Sequence, residues 1–470
     1  MKQAVVLTCA VLALSAAINR GSLLADDANE DLVETIISLV GNNDKDLRAL
    51  GLEQVREAAK GEAATRRFAA LLPKLPPDGQ AALLAALGTR GDKAARPSVL
   101  DMLKSPEEPV RLAAIRSLGP LGETADVPLL AQLLAAASAP QKAAARASLV
   151  QLTGAPVGPV IVGELKRAKP DTRAELIGVL AARRALDCVD GILPAALDAD
   201  AGVRQAAMAA LGQLATPEQI PGMVRGVLLA EAGAEREAAE RAVALVCNRI
   251  SDPAKRAAPL MAAFMALEEA SDVGYNEAQI ALLPTLGRVG GRDVRWHVDS
   301  ALVALGKAHE AGIHALCNWP DGSVGPKLLD LAQSAASPAD RLTALRGLIR
   351  VAPLRDKRSD AERLDMLQKA MGLATRDEER NLVLRKCQAV RTIESLRFVA
   401  PYMEQPALAQ QAAATVVELA HHRELRGPNK AEFDRALDSV IRTSRDADVL
   451  DRAQRYKKGQ TRELRIKEER

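Results

Sequence analysis

The chain is poor in aromatic residues, which make up 2% of its 470 positions although 48% are hydrophobic. Its apolar mass is therefore alanine, leucine and valine. That composition disfavours a core built around large rings and favours thin, closely stacked helices of strong helix formers. Histidine is scarce too, at five residues, and cysteine numbers five. Cys188, Cys247, Cys317 and Cys387 lie 59, 70 and 70 residues apart, and no Cys-x-x-Cys occurs. Those spacings match neither a zinc knuckle nor a haem attachment site. Gly-x-Ser-x-Gly, His-Glu-x-x-His and the phosphate loop ending in Gly-Lys-Ser/Thr are all missing, so the common hydrolase, metalloprotease and nucleotide-binding signatures are excluded. Net charge is small as well. The formal value is +3, of which Lys2 and Arg20 supply two charges, and this balance gives no electrostatic footprint for nucleic acid.

Long apolar runs are absent apart from the first residues. Lys2 followed by the uncharged stretch Ala4 to Ile18 reads as a secretory signal covering residues 1–25, with cleavage after Ala17 or after Ala25. The run falls short of the roughly 20 apolar residues a spanning helix needs. The expectation is an exported protein, periplasmic or extracellular in the cell envelope, without a membrane span once the signal is removed.

What the chain does have is a period. Leu87, Leu118, Leu149, Leu180 and Leu211 follow one another at intervals of 31 residues. Seven residues before each stands a long polar residue: Gln80, Arg111, Lys142, Arg173 and Arg204. Ten residues after four of the five leucines comes a proline, as at Pro97 and Pro128. Two apolar ladders follow, one through Leu100, Ala131, Val162, Leu193 and Val224, the other through Leu103, Leu134, Leu165, Ala196 and Val227. Val110, Ala114, Ile115 and Leu118 mark one helical face. Each unit thus reads as two helices. Ser105-Pro106-Glu107 and Ser337-Pro338 are expected to open first helices, Gly119 and Gly212 to sit near their ends as C-caps, and Arg111 and Arg204 to pair with Glu107 and Asp200 four residues earlier. The seven-residue offset recurs at Arg48/Val55, Arg236/Val243, Gln279/Leu286, Arg341/Leu348, Arg380/Cys387 and Gln410/Val417.

The text Glu108-Pro-Val-Arg-Leu-Ala-Ala-Ile-Arg-Ser-Leu-Gly119 and its counterpart Ala201–Gly212 resembles the short HEAT-like repeat of bacterial proteins, including the type found in phycobilisome lyases. The resemblance implies an all-α fold, a right-handed HEAT-like or armadillo-like α-solenoid of about twelve stacked helix pairs. It would cover residues 26–450, most regular over 77–230 and longer and less uniform over 231–450, before a charged tail at 451–470. In such a stack the four cysteines are expected to be separate buried thiols.

HEAT-like arrays serve scaffolds, adaptors and a few enzymes, so the repeat carries little about function. Deoxyhypusine hydroxylase, built on similar repeats, holds iron with several His-Glu pairs; here only His309-Glu310 occurs, and no chromophore pocket is marked. Neither a cofactor nor a metal site is expected. The compositionally unusual stretch is 275–319, which holds both tryptophans and three histidines. Tyr275, Trp296, His297, His309 and Trp319 are the candidate binding residues, since tryptophan and tyrosine favour interface hot spots. Exposed second-helix residues such as Asp101, Gln132 and Arg225 form no single-sign patch. The leading expectation is a non-catalytic scaffold that recognises a protein partner along an extended face. A metal- or cofactor-binding enzyme using His297, His309, Glu310 and His314 is one alternative, and a self-assembling envelope protein is the other.

Overall fold

The computed structural model describes residues 22–154, 156–267 and 275–460. Among these residues every regular element is a helix, and the fold is an all-α solenoid. Most of the segment expected as a signal lies outside the described residues. The first described helix is Ser22–Val40, so cleavage after Ala25 would fall inside it. No described helix is long and apolar enough to cross a membrane.

The chain divides into two compact units, Met1–Ala242 and Val243–Arg470, where one array was expected. The first unit stacks the first helices α1 (Lys45–Glu57), α2 (Pro77–Arg90), α3 (Glu108–Leu121), α4 (Ala139–Gln151), α5 (Pro170–Ala182) and α6 (Ala201–Leu214), each against the next. The second stacks α7 (Glu277–Val289), α8 (Lys307–Asn318), α9 (Pro338–Val351), α10 (Asp377–Cys387) and α11 (Ala409–His421) in the same way.

The leucines of the 31-residue period are all fully buried, as the pattern requires. In the second helices the deepest ladder lies one residue earlier than expected, at Val99, Leu130, Ile161, Ile192 and Met223, each with no exposed surface. Leu100, Val162 and Leu193 keep part of their surface in water instead. Most short second helices begin with a 3-10 turn, such as Lys93–Ala95 before Arg96–Met102, and Val157–Leu165 shows the same face without one among the described residues. Such a turn has 3.0 residues per turn rather than 3.6, which rotates the face that follows.

Two local expectations are corrected. Gly119 and Gly212 are not caps but helix-interior positions of close approach. A Cβ on Gly119 would stand 2.5 Å from Gln151 Oε1, and one on Gly212 would stand 3.0 Å from Ala242 Cβ. The glycine that does end a helix in the left-handed region is Gly91, at φ 74°. The arginines seven residues before the leucines also do something else. Arg111 donates through Nη1 to the carbonyls of Ser105 and Pro106, both at 2.7 Å. Arg236 and Arg380 reach Ala230 O at 2.8 Å and Ala374 O at 3.0 Å. Each guanidinium therefore satisfies carbonyls that the preceding second helix leaves unpaired at its end. Glu107 and Asp200 are N-caps rather than ion-pair partners.

The second unit keeps the stack but not the strict period. The fully buried leucine of α8 is Leu316, 30 residues after Leu286 and 32 before Leu348, and α8 packs on both α7 and α9. Cys317, 31 residues after Leu286, is only half-buried beside it. The charged C-terminal segment opens as a capping helix, Ala447–Lys457, which buries Tyr456, whose hydroxyl lies 2.9 Å from His421 Nδ1. Residues 461–470 lie outside the described residues.

Candidate functional site

The helix Arg292–Val303 connects α7 to α8 through very short turns, with Gly290 and Gly291 on one side and Gly306 on the other, all at positive φ. It buries Val294, Val298, Ala301 and Leu302, which is one helical face. Trp296 lies two residues past Val294 and so points the other way, with 67% of its surface exposed. Val303, seven residues on, shares that outward face at 85% exposure, and Leu305 in the following turn is 93% exposed. Trp296 and Val303 thus stand in water on one side of this helix, and Leu305 is exposed in the turn that follows it.

The base of this face is rigid. The Trp296 ring meets His297 edge-on at 4.7 Å and 87°. His297 in turn packs edge-on against Phe264 at 5.1 Å, and Phe264 has no exposed surface. The Tyr275 hydroxyl donates to the His297 carbonyl at 2.7 Å and lies 3.5 Å from its Nδ1. Burial pushes the Tyr275 hydroxyl above its usual range, so it stays a neutral donor at physiological pH. Tyr275 is itself positioned by the start of α7, where Asn276 and Gln279 form a reciprocal capping box.

Of the residues expected from the sequence, Tyr275, Trp296 and His297 come together. His309 and Trp319 do not join them. His309 Nδ1 lies 2.7 Å from the Leu302 carbonyl, and its Nε2 is 3.7 Å from Asp340 Oδ2, which ties the start of α8 to its neighbours. Trp319 is 4% exposed. It ends α8, packs over Gly290, and gives its carbonyl to Arg350. His314 is exposed on α8. Phe264, Val303 and Leu305 are the members that sequence reasoning missed. The last two carried a signal, since Val303 lies two helical turns after Trp296 and Leu305 follows it just before Gly306.

Nothing in this cluster resembles a reactive centre. Among the described residues, no three histidine, cysteine, aspartate or glutamate side chains are placed to hold a metal ion. The four cysteines are separate thiols. Burial pushes Cys188 up to about 11, and Cys247, Cys317 and Cys387 up to about 12. Asp101, Gln132 and Arg225 on the second helices are exposed and mixed in character.

Comparison with known proteins agrees with the geometry of the stack. Residues 65–150 match the family model described as HEAT repeats. No curated protein sequence matches the chain. A solved structure of a Kap121p mutant is similar over 96% of this chain and 56% of its own, with a TM-score of 0.50 at 13% identity. Kap121p bound to Ste12p is similar over 93% of this chain and 57% of its own, with a TM-score of 0.48 at 12% identity. The chain thus spans a little over half the length of these karyopherin structures, and at that identity the likeness speaks for the fold alone. The matched repeats at 65–150, the 31-residue period and the stacked helix pairs agree on a HEAT-like, all-α solenoid fold.

Proposed function

We propose that this chain is an exported, non-catalytic interaction scaffold that docks a protein partner on the face formed by Trp296, Val303 and Leu305. The observation that carries the proposal is the exposed Trp296 ring held edge-on to His297 over a buried Phe264. An aromatic side chain fixed in place before binding loses little freedom on docking, which is the usual property of a hot-spot residue. Helix-pair stacks offer extended rigid surfaces, and loops on such scaffolds often carry function. Export rests on the Lys2 and Ala4–Ile18 pattern, and kinship with the short bacterial lyase-type repeat rests on the 31-residue period and the Glu108–Gly119 text.

The test is affinity capture from envelope extract with wild-type chain and a Trp296→Ala, Leu305→Ser variant as baits. A partner retained by the first and lost by the second supports the reading. A partner held equally by both moves the site elsewhere on the stack, and recovery of the same chain alone would favour self-assembly. Export is tested separately, by N-terminal sequencing of protein recovered from the envelope fraction. A mature start at residue 18 or 26 supports it, and an intact Met1 in the cytosol refutes it.

A further inference from the structure

A second surface in the unit Val243–Arg470 differs in chemistry from the Trp296 face. It lies where first helices end and turn into second helices. The ends of α8 and α9 are neighbours, because Arg350 in the last turn of α9 donates to the carbonyls of Cys317 and Trp319 at the end of α8. Since α9, α10 and α11 stack in order, their end turns form a row.

The row is cationic. The turn after α9 carries Arg355, Lys357 and Arg358 against Asp356 alone. That acid is already engaged, because Arg358 Nε lies 3.0 and 2.9 Å from its two oxygens. Arg355 and Lys357 are exposed. The last turn of α10 carries Arg385 and Lys386 and the turn after it Arg391, with no acid between them, and both arginines are exposed. The next turn adds His422 and Arg423, with Glu424 beside His422 at 3.6 Å. Several arginines elsewhere in this unit are paired with acids: Arg346 and Arg376 with Glu379, Arg397 with Glu432, Arg452 with Glu418. The like charges in the row sense one another. Burial first, then Arg385 and Arg350, hold the Lys386 ammonium below its usual range. Burial and then Arg391 do the same to His422.

Helix dipoles alone do not account for this. Cations gain about 0.3–1 kcal/mol at a helix C-terminus, and that gain would apply equally in the first unit. There the corresponding turns hold fewer free cations: after α5, Arg183 is engaged by the carbonyls of Leu149 and Val150, and Arg184 stands near Asp187 in sequence. Arg90 is engaged by the carbonyls of Val55 and Ala58, and Lys93 stands beside Asp92. The turn after α3 holds Glu123 and Asp126, and the turn after α6 holds Glu218. Stability has no use for unpaired like charges side by side; a ligand of opposite charge does.

We propose that the turns after α9, α10 and α11 form a docking strip for an extended acidic segment of a protein partner. Neighbouring helices pack about 8–10 Å apart, and an extended chain in the polyproline II conformation rises about 3.1 Å per residue with three residues per turn, so every third side chain faces the same way. A segment laid across the turns therefore meets a new turn at every third residue, so the matching text is an acid at every third position. A nucleic acid fits less well. The strip's rings, those of His421 and His422, are half-buried and stand edge-on to each other, unlike the open platforms on which successive bases stack, and the chain as a whole carries only +3. The strip does not depend on the Trp296 reading.

The experiment measures fluorescence anisotropy of a labelled peptide with glutamate at every third position in a Ser/Gly background. The proteins are full chain, an Arg385→Glu, Arg391→Glu variant, a Lys104→Glu, Lys166→Glu control of equal charge change, and Trp296→Ala. Peptide binding that falls about tenfold or more in the first variant, weakens with salt, and survives in the other two supports the strip. No binding at low salt overturns it, as does an equal loss in the control. Tighter binding of a single-stranded oligonucleotide of the same charge, lost in the same variant, also overturns it and makes the row a nucleic-acid site. Should charge reversal unfold the chain by circular dichroism, Arg385→Gln, Arg391→Gln takes its place, with the same outcomes read at a smaller loss.

Discussion

Arg204 and Glu235, 31 residues apart, are joined by two hydrogen bonds, Nε to Oε1 at 2.8 Å and Nη2 to Oε2 at 3.1 Å. Both side chains are under a tenth exposed. Arg204 also donates to the carbonyls of Asp198 and Ala199, so one guanidinium closes the end of the preceding helix and holds the start of the next unit. Removing one partner of a buried pair costs about 3–5 kcal/mol. A stack two helices thick leaves bulk water close by, which screens the stranded charge and lowers that figure. Glu235→Gln is expected to cost about 2 kcal/mol, and a double-mutant cycle with Arg204→Gln should show strong non-additivity in urea melts.

The same pair sets the response to acid. Arg204 beside Glu235 holds its carboxyl below the usual range against the opposing effect of burial. Arg376, with a further contribution from Arg346, does so for Glu379. A carboxyl with a depressed folded value stabilises fully above its unfolded value, near 4.3, and loses that contribution as pH falls through the folded value. Melting temperature should be flat between about pH 6 and 8 and drop below about pH 5. Glu235→Gln should lower the plateau and flatten the acid slope; an unchanged slope would remove these carboxylates from the explanation.

The regular half of the fold was legible because burial repeats at one position: a leucine every 31 residues has no reading except a stacked unit. The unit of α8 was hidden because its buried leucine, Leu316, falls one residue short of the 31-residue frame, where Cys317 stands instead. The second-helix ladder was misplaced by one residue because the 3-10 turn at Lys93–Ala95 leaves no mark in an apolar pattern. The site was half legible. Trp296 and Trp319 look alike in sequence, and only the face of each helix decides which ring meets water. Phe264 was invisible, since its place beside His297 depends on how separate helices pack.

Glycine substitutions separate packing from cap conformation. A Cβ on Gly287 would lie 2.2 Å from the Ala315 carbonyl oxygen, a backbone atom that cannot swing aside. Gly287→Ala is expected to destabilise by about 2–3 kcal/mol through forced separation of α7 and α8. Gly163, inside the helix Val157–Leu165, has open space where a Cβ would be. Gly163→Ala is expected to stabilise by about 0.5–1 kcal/mol through reduced freedom of the unfolded chain. Thermal melts of the two variants must move in opposite directions.

Thiol chemistry should be silent in the folded state. With Cys247, Cys317 and Cys387 pushed up to about 12 and Cys188 to about 11, almost no thiolate exists at pH 8. Iodoacetamide at pH 8 should leave all four unmodified in native protein and alkylate all four in urea, as read by peptide mass spectrometry. Rapid native labelling of any one would show that its helix opens far more readily than its packing implies.

The two tryptophans make opposite predictions. Trp296 projects into water, so Trp296→Ala should change stability by no more than about 0.5 kcal/mol, while removing the long-wavelength, iodide-quenchable part of the emission. Trp319 fills the space over Gly290 at the end of α8, and Trp319→Ala should cost about 3–5 kcal/mol while leaving the quenchable emission intact. This asymmetry decides how binding data are read. Loss of a partner in a Trp319 variant would report a loosened stack, whereas loss in a stable Trp296 variant reports the face itself. If Trp296→Ala instead lowered the melting temperature as much as Trp319→Ala, the ring would be part of the packing, and the proposed docking face would lose its anchor.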